Sequence, residues 1–397
     1  MTLISNLQFQ DFTLYTRNIS KDQTFITVNV TNPDSNLDTL IPEIYQQIID
    51  VLKKNDLHIV LERIFGTLDA SAQIFSLRMQ TFAQNKMNES SLLTYIEGTP
   101  VRNPKMAGIQ IRALQNAKNH FLEDVLEDGA PVGRKWQSNG ATFIMLQNIH
   151  GAMNGTKQGD RAGQTDAMFE RTRRILESHN ATMKDVARTW IYLSDILDWY
   201  DEFNEVRTKR YREYGIIAQE KANSETIEEI RLPASTGIRG KNPAHAAGTM
   251  DVLAVIKDNG SPVQITPNSG LKQKSAFRYG SAFSRAMHID GPDCTQILVS
   301  GTASIDETGE TVYPGDTRAQ ITKTFEVVET LIAQGGATLK DICKATVFLK
   351  TAEDLPVYEA IIREKGLESM PSVCVVADVC RDDLLFELDA VAVVEKA

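Results

Sequence analysis

The sequence predicts an α+β protein built from three similar units, and three observations carry that expectation. A segment in the last third repeats one in the middle third. The N-terminal third shows the same order of helical and extended signals more faintly, and the chain closes on a strand whose two faces differ in character. At 397 residues the chain exceeds the roughly 250–300 residues at which one hydrophobic core stops growing, so two or three domains are expected.

The repeat is explicit. Ala337-Thr338-Leu339-Lys340-Asp341-Ile342, continuing through Ala345-Thr346-Val347-Phe348-Leu349, resembles Ala181-Thr182-Met183-Lys184-Asp185-Val186, continuing through Arg188-Thr189-Trp190-Ile191-Tyr192-Leu193. Helical spacing precedes each copy: Ile321, Phe325, Val328 and Ile332 in one, Met168 and Ile175 with Phe169 and Leu176 in the other. Leu355, Tyr358 and Ile361, and Ile196, Trp199 and Phe203, mark a second helix after each. The order is strand, helix, strand, helix, strand. In the N-terminal third Ile41, Ile44, Ile48 and Leu52 form a helical stripe, Leu61 to Leu68 reads as a strand, and Ile74, Leu77 and Phe82 suggest the second helix.

Turn-rich stretches at Leu126 to Gly140 and Lys257 to Ser275 read as joints, while Asn85 to Asn103 and Gln219 to Glu229 read as insertions. The expected units are residues 1–130, the divergent one, 131–262, and 263–397, which carries the closing strand.

That strand, Leu385 to Val394, places Phe386, Leu388, Ala390 and Ala392 in one apolar row and Glu387, Asp389, Val391 and Val393 in the other. A carboxylate in so apolar a strand must be paired, protonated or used in chemistry. Glu387 is therefore the first candidate for catalysis, with a salt bridge across a domain interface as the alternative.

Composition excludes several classes. A net charge of -10 opposes broad nucleic-acid binding and leaves room only for a local basic pocket. No apolar run approaches the roughly eighteen residues of a membrane span. Cys294, Cys343, Cys374 and Cys380 lack metal-ligand spacing, and the six histidines are scattered, so neither a metal nor another cofactor is assigned. The chain is expected to be cytoplasmic with reduced thiols.

Ile297-Leu298-Val299-Ser300-Gly301, Asp316 to Gln320, Gly335-Gly336-Ala337, Ala345 to Leu349 and the Glu387 strand together resemble the RidA/YjgF fold over the last unit. RidA-like proteins are homotrimers with a central barrel and sites between subunits. The resemblance thus implies a covalent pseudo-trimer with a central β-barrel and outer helices, needing no partner chain. Imine-hydrolysing members carry an arginine after a proline near the start of the penultimate strand. Here Pro371 is followed by Ser372-Val373-Cys374, and Ser235 holds the matching place after Pro233, which disfavours that chemistry.

Leu232-Pro233-Ala234-Ser235-Thr236-Gly237-Ile238, Phe283-Ser284-Arg285-Ala286, Ser300-Gly301-Thr302-Ala303-Ser304 and Asp378 to Glu387 resemble a narrower group, the chorismatases. That resemblance implies cleavage of the enol ether of chorismate to pyruvate and either a dihydroxycyclohexadiene carboxylate or a hydroxybenzoate, without a cofactor. Glu387 matches the proton-donating glutamate, and Cys380 falls near the substrate ring, where it can equally be a small buried hydrophobe.

A dianionic substrate calls for arginine, whose planar fork fits two oxygens. Arg285 is the candidate, with Tyr279 and Ser284 beside it; an exposed loop arginine is the alternative. Thr302, Ala303 and Thr236 are expected to shape the wall, and Arg278, Arg239 and Arg381 to be solvated or interdomain charges. A RidA-like hydrolase of another small anion, or a non-catalytic ligand-binding module, would keep the same fold.

Overall fold

Each unit lays one sheet against two helices. The computed structural model describes residues 4–20, 22–87, 92–115, 122–152, 160–217, 231–268 and 282–396. The first unit runs β1 (Ile4–Gln8), β2 (Phe12–Asn18), β3 (Gln23–Val30), α1 (Leu37–Asn55), β4 (Leu57–Gly66), α2 (Ser71–Gln84), β5 (Thr94–Glu97), β6 (Thr99–Pro100) and β7 (Met106–Gln115). The second has β8 (Glu123–Glu127), β9 (Ala130–Ser138), β10 (Ala141–His150), α3 (Arg161–Ser178), β11 (Val186–Leu193), α4 (Tyr200–Glu213), β12 (Ala234–Arg239) and β13 (Gly248–Lys257). The third has β14 (Gln264–Asn268), β15 (Ala286–Asp290), β16 (Cys294–Ala303), α5 (Thr317–Ala333), β17 (Ile342–Leu349), α6 (Leu355–Glu364), β18 (Ser372–Val376) and β19 (Phe386–Glu395).

The sheet orders are β1-β2-β3-β7-β4-β5, β12-β11-β13-β10-β9-β8 and β14-β15-β16-β19-β17-β18-β6. Each unit therefore opens on additional antiparallel strands ahead of the predicted strand–helix–strand–helix–strand series. The stretches read as joints also carry strands. Asp128-Gly129 and Asn139-Gly140 all have positive φ, the signature of tight hairpin turns, and they link β8 to β9 and β9 to β10. The proposed insertion at Asn85 to Asn103 holds β5, parallel to β4, and β6, which pairs with β18 of the third sheet. The insertion expected at Gln219 to Glu229 lies outside the described residues.

The repeated hexapeptide has a local cause. Asp185 Oδ2 accepts from Thr182 N (2.8 Å) and Asp341 Oδ2 from Thr338 N (2.7 Å), so each copy is a capped single turn launching β11 or β17. Asn36, Asp160 and Asp316 cap α1, α3 and α5 with side-chain oxygens. On α1, Leu40, Ile41, Ile44, Ile48 and Leu52 are fully buried, each worth about 1.5–3 kcal/mol of transfer free energy.

Helix-facing side chains form a separate core in each unit, and the opposite sheet faces share one. Phe25 and Phe65, Trp136 and Trp190, and Phe348 and Val391 come from the three sheets into this common core. In place of one continuous ladder, the expected barrel is three sheets meeting edge to edge. The seams are the β6–β18 pairing, a parallel bridge from Ala234 to Ser284, and a hydrogen bond from Glu97 N to Lys241 O (2.8 Å). Among the described residues no helix is long and apolar enough to cross a membrane.

Candidate active site between the second and third units

β19 alternates as its sequence requires: Phe386, Leu388, Ala390 and Ala392 pack toward α5 and α6, and Glu387 and Asp389 face inward. Glu387 sits between Ala303 of β16 and Phe348 of β17. It is 5% exposed, and its Oε1 has no hydrogen-bond partner among the described residues. β16 bulges between Val299 and Thr302, and the bulge brings Gly301 under the carboxyl group. A Cβ at 301 would fall 2.9 Å from Glu387 Cδ, so the position admits only glycine without displacing the acid.

The two carboxyls are held in opposite states. Burial, reinforced by the Asp389 charge and opposed by Arg188 and Arg285, pushes Glu387 up to about 8. Burial also works against an ionised Asp389, but Lys344, Arg188 and Arg63 outweigh it and keep its pKa below the usual value. Asp389 accepts from Lys344 Nζ (3.3 Å), Thr346 Oγ1 (3.2 Å) and Thr236 Oγ1 (3.2 Å), with Arg188 Nη2 at 3.6 Å. The same burial pulls Lys344 down to about 8 and Arg188 to about 10. A protonated acid next to a fixed anion is the arrangement that keeps a proton available near neutrality.

Glu387 opens on a cleft of about 660 Å³ whose other wall is α4 and β12 of the second unit. Arg285, 2% exposed and 5.4 Å above the Phe283 ring, lines it, as do Ala303, Cys380 and Arg381. Burial first, then the Glu387 charge, push the Cys380 thiol up to about 12, so it stays protonated. Arg381 Nη1 donates to Gly309 O (2.8 Å), and Arg239 lies 3.8 Å from Glu97 and 3.7 Å from Asp378 as an interdomain charge.

Two expected wall residues, Thr302 and Thr236, and Ser284, expected beside Arg285, do not line the cleft. Thr302 pairs with Leu388 and donates to Ser300 O (2.9 Å) on the helix-facing side. Thr236 is buried behind the wall between Arg188 and Asp389. Ser284 belongs to the seam, where its N–H donates to Pro233 O (2.9 Å). Tyr279 and Arg278 lie outside the described residues.

The residue that sequence reasoning missed is Arg207, on α4. It lines the cleft fully buried, over Phe203 (5.1 Å) and Phe283 (5.8 Å), and donates Nη2 to Asn204 Oδ1. Its Nε and Nη1 have no partner among the described residues. The first unit explains why. Arg78 holds the corresponding place on α2, but Glu62 of β4 accepts from its Nε at 2.9 and 3.0 Å. The matching position on β11 is Thr189, one residue past the bulge in each strand, so the second unit has no carboxylate at the register position from which Glu62 reaches Arg78. The cleft is lined by Arg207, Lys209, Arg212, Arg285 and Arg381 against Asp201, Glu205 and Glu387, an excess of positive charge on an acidic protein.

Of the three equivalent strand positions among the described residues, one carries an acid. The position opposite Phe348 in β17 is Glu387; opposite Tyr192 in β11 it is Thr249, and opposite Phe65 in β4 it is Gly108. A Cβ at Gly108 would lie 2.1 Å from the Val28 carbonyl oxygen and 2.9 Å from Val373 Cγ2, so that position has no room for a side chain. Among the described residues no group of three His, Cys, Asp or Glu is arranged to hold a metal.

The Endoribonuclease L-PSP family profile matches residues 274–394. A RutC family protein of Pyrococcus abyssi is 36% identical over 98 residues, covering 24% of this chain and 76% of that protein. The chain belongs to the RutC (RidA/YjgF) family. The likeness of this RutC-family chain also extends past its last unit. A 3-hydroxybenzoate synthase of Streptomyces hygroscopicus is 28% identical over 227 residues, 52% of this chain, and the chain spans 63% of that relative's length. A crystal structure of a chorismatase superposes with a TM-score of 0.59 at 18% identity, covering 84% of this chain and 93% of the other. The fold is therefore the chorismatase-like, three-unit form of the RidA fold.

Proposed function

We propose that this chain cleaves the enol ether of chorismate, with Glu387 as general acid. The observation that carries the reading is a buried carboxyl group with an unpartnered oxygen, kept protonated at the wall of a cationic cleft. Glu387 gives its proton to the terminal methylene carbon of the enolpyruvyl group. The ether carbon becomes oxocarbenium-like and is attacked by water or by a ring hydroxyl. After water attack the hemiketal collapses: the bond to the ring oxygen breaks, the ring keeps that oxygen as a hydroxyl, pyruvate leaves with the water oxygen as its ketone, and a proton from the water returns to Glu387. After ring-hydroxyl attack the hydroxyl proton returns to Glu387, the ketal carbon lets go of the original ether oxygen, which stays on the ring, and the attacking oxygen breaks from its ring carbon to become the ketone of pyruvate as a ring proton is lost. The ring leaves as a dihydroxycyclohexadiene carboxylate or, when ring hydroxyl attack is followed by aromatisation, as a hydroxybenzoate.

Arg285 and Arg207 receive the two substrate carboxylates; the Nε–H and Nη1–H groups of Arg207, on different edges of the guanidinium and without partners among the described residues, are donors for single charged hydrogen bonds. Ala303 and Cys380 shape the ring end of the cleft. The similarity to a 3-hydroxybenzoate synthase and the shared three-unit fold support this substrate class. The proposal includes a monomeric, cytoplasmic enzyme that needs no cofactor. Incubation with chorismate, a coupled assay for pyruvate and chromatography of the ring product test it. Folded protein that releases no pyruvate would leave a hydrolase of another small anion or a ligand-binding module.

A further inference from the structure

At the far end of β16 from Ala303 lies a second polar site. Arg112 of β7 is 2% exposed in the common core, its guanidinium 5.3 Å above the Trp136 ring. The residues opposite the post-bulge position in the other two units are Leu253 and Val391, so the first unit places a cation where its counterparts are apolar. Its hydrogen-bond partners are amides. Nε donates to Gln23 Oε1 (3.2 Å), and Nη2 donates to Gln23 Oε1 and to Gln296 Oε1 (3.2 Å). Asp22, which accepts from Ser20 Oγ, also acts on Arg112, as do the thiols of Cys294 and Cys343. Burial pushes Cys294 up to about 11, so that thiol supplies no negative charge at neutral pH.

Gln23 and Gln296 line a cavity of about 20 Å³ together with Ser20, Asn139, Gly291 and Cys294, so all three units reach it. That volume holds one water-sized occupant. Because both amide oxygens face the guanidinium, both NH2 groups are turned away from it. Arg112 does not itself line the cavity, so of this cluster it is the two amide side chains that an occupant meets. Asp22 is the carboxylate acting on Arg112, whose direct hydrogen bonds go to neutral acceptors, so a small anion nearby would add to the compensation of a charge that is otherwise answered only from a distance.

We propose that this cavity binds one small monovalent inorganic anion, of halide size, between the amide groups of Gln23 and Gln296, closing the three-unit junction at the end opposite the cleft. Bromide tests it in two ways. Crystals of the full chain grown in sodium bromide should show an anomalous peak between the two amides. In solution, the melting temperature in 0.2 M sodium bromide or chloride should exceed that in equimolar sodium gluconate by about 2 °C, as expected for an ion that binds only the folded state. Gln296→Leu should abolish that difference, and Gln23→Leu serves if the first variant folds poorly. A water in place of the anomalous peak, with equal melting temperatures in halide and gluconate, would overturn the proposal.

Discussion

Replacing Glu387 with glutamine should abolish turnover and stabilise the protein in the same step. The carboxyl is 5% exposed and is raised from the ordinary 4.5 to about 8. A folded-state pKa above the unfolded one means that the fold favours the protonated form. Its contribution is complete below pH 4.5 and is lost as pH rises toward 8. At pH 7 the loss is the 2.5 units between 4.5 and 7, about 3 kcal/mol at 1.36 kcal/mol per unit. Glutamine has nearly the same shape and no charge, so the variant should be more stable than the parent by up to that amount at pH 7. Near pH 4.5 the two should coincide. Turnover should fall by about 10²–10⁴, the usual worth of a general acid. Urea midpoints at pH 5 and pH 7, read beside pyruvate release from chorismate, measure both effects. Parental pyruvate release by the variant, or a stability difference that does not change between the two pH values, would refute the reasoning.

The pH–rate profile should carry an alkaline limb near 8, with kcat falling about tenfold per pH unit above it as Glu387 loses its proton; activity that rises through this range contradicts an acid role. Gly301→Ala should displace the carboxyl by about 1 Å and cost on the order of 10² in kcat, while circular dichroism shows an intact fold. Arg207→Met should raise KM by about 10- to 100-fold, the worth of a charged hydrogen-bonded contact, without lowering the melting temperature, because two of its nitrogens lack partners among the described residues. An unchanged KM would remove Arg207 from substrate binding.

The closing strand was legible because its period of two is unbroken from Phe386 onward and one row is wholly apolar. Alternation failed at β16, where the bulge at Ser300-Gly301 resets the register and turns Thr302 toward the helices, a shift that no local pattern announces. The helices followed from their apolar stripes, and the hairpins at Asp128-Gly129 and Asn139-Gly140 had a readable turn signature that was taken as a joint. Arg207 was hidden for a different reason. An arginine on a helix is ordinarily solvated, and its lack of a carboxylate is visible only when Thr189 and Glu62 are aligned through their bulges. Arg285 and Glu387 were found because the segments that carry them keep their spacing, and the fold brings both to one cleft.

Fusing three copies into one polypeptide changes what mutation can do. In a homotrimer every substitution is imposed on three places at once, so loss of an acid from one cleft is loss from all. Here Gly108, Thr249 and Glu387 stand at one equivalent register position, and the glycine admits the close approach of the Val28 carbonyl and of Val373. Two of the three equivalent positions are left to serve the scaffold, and the third can carry a carboxyl group that the others need not tolerate.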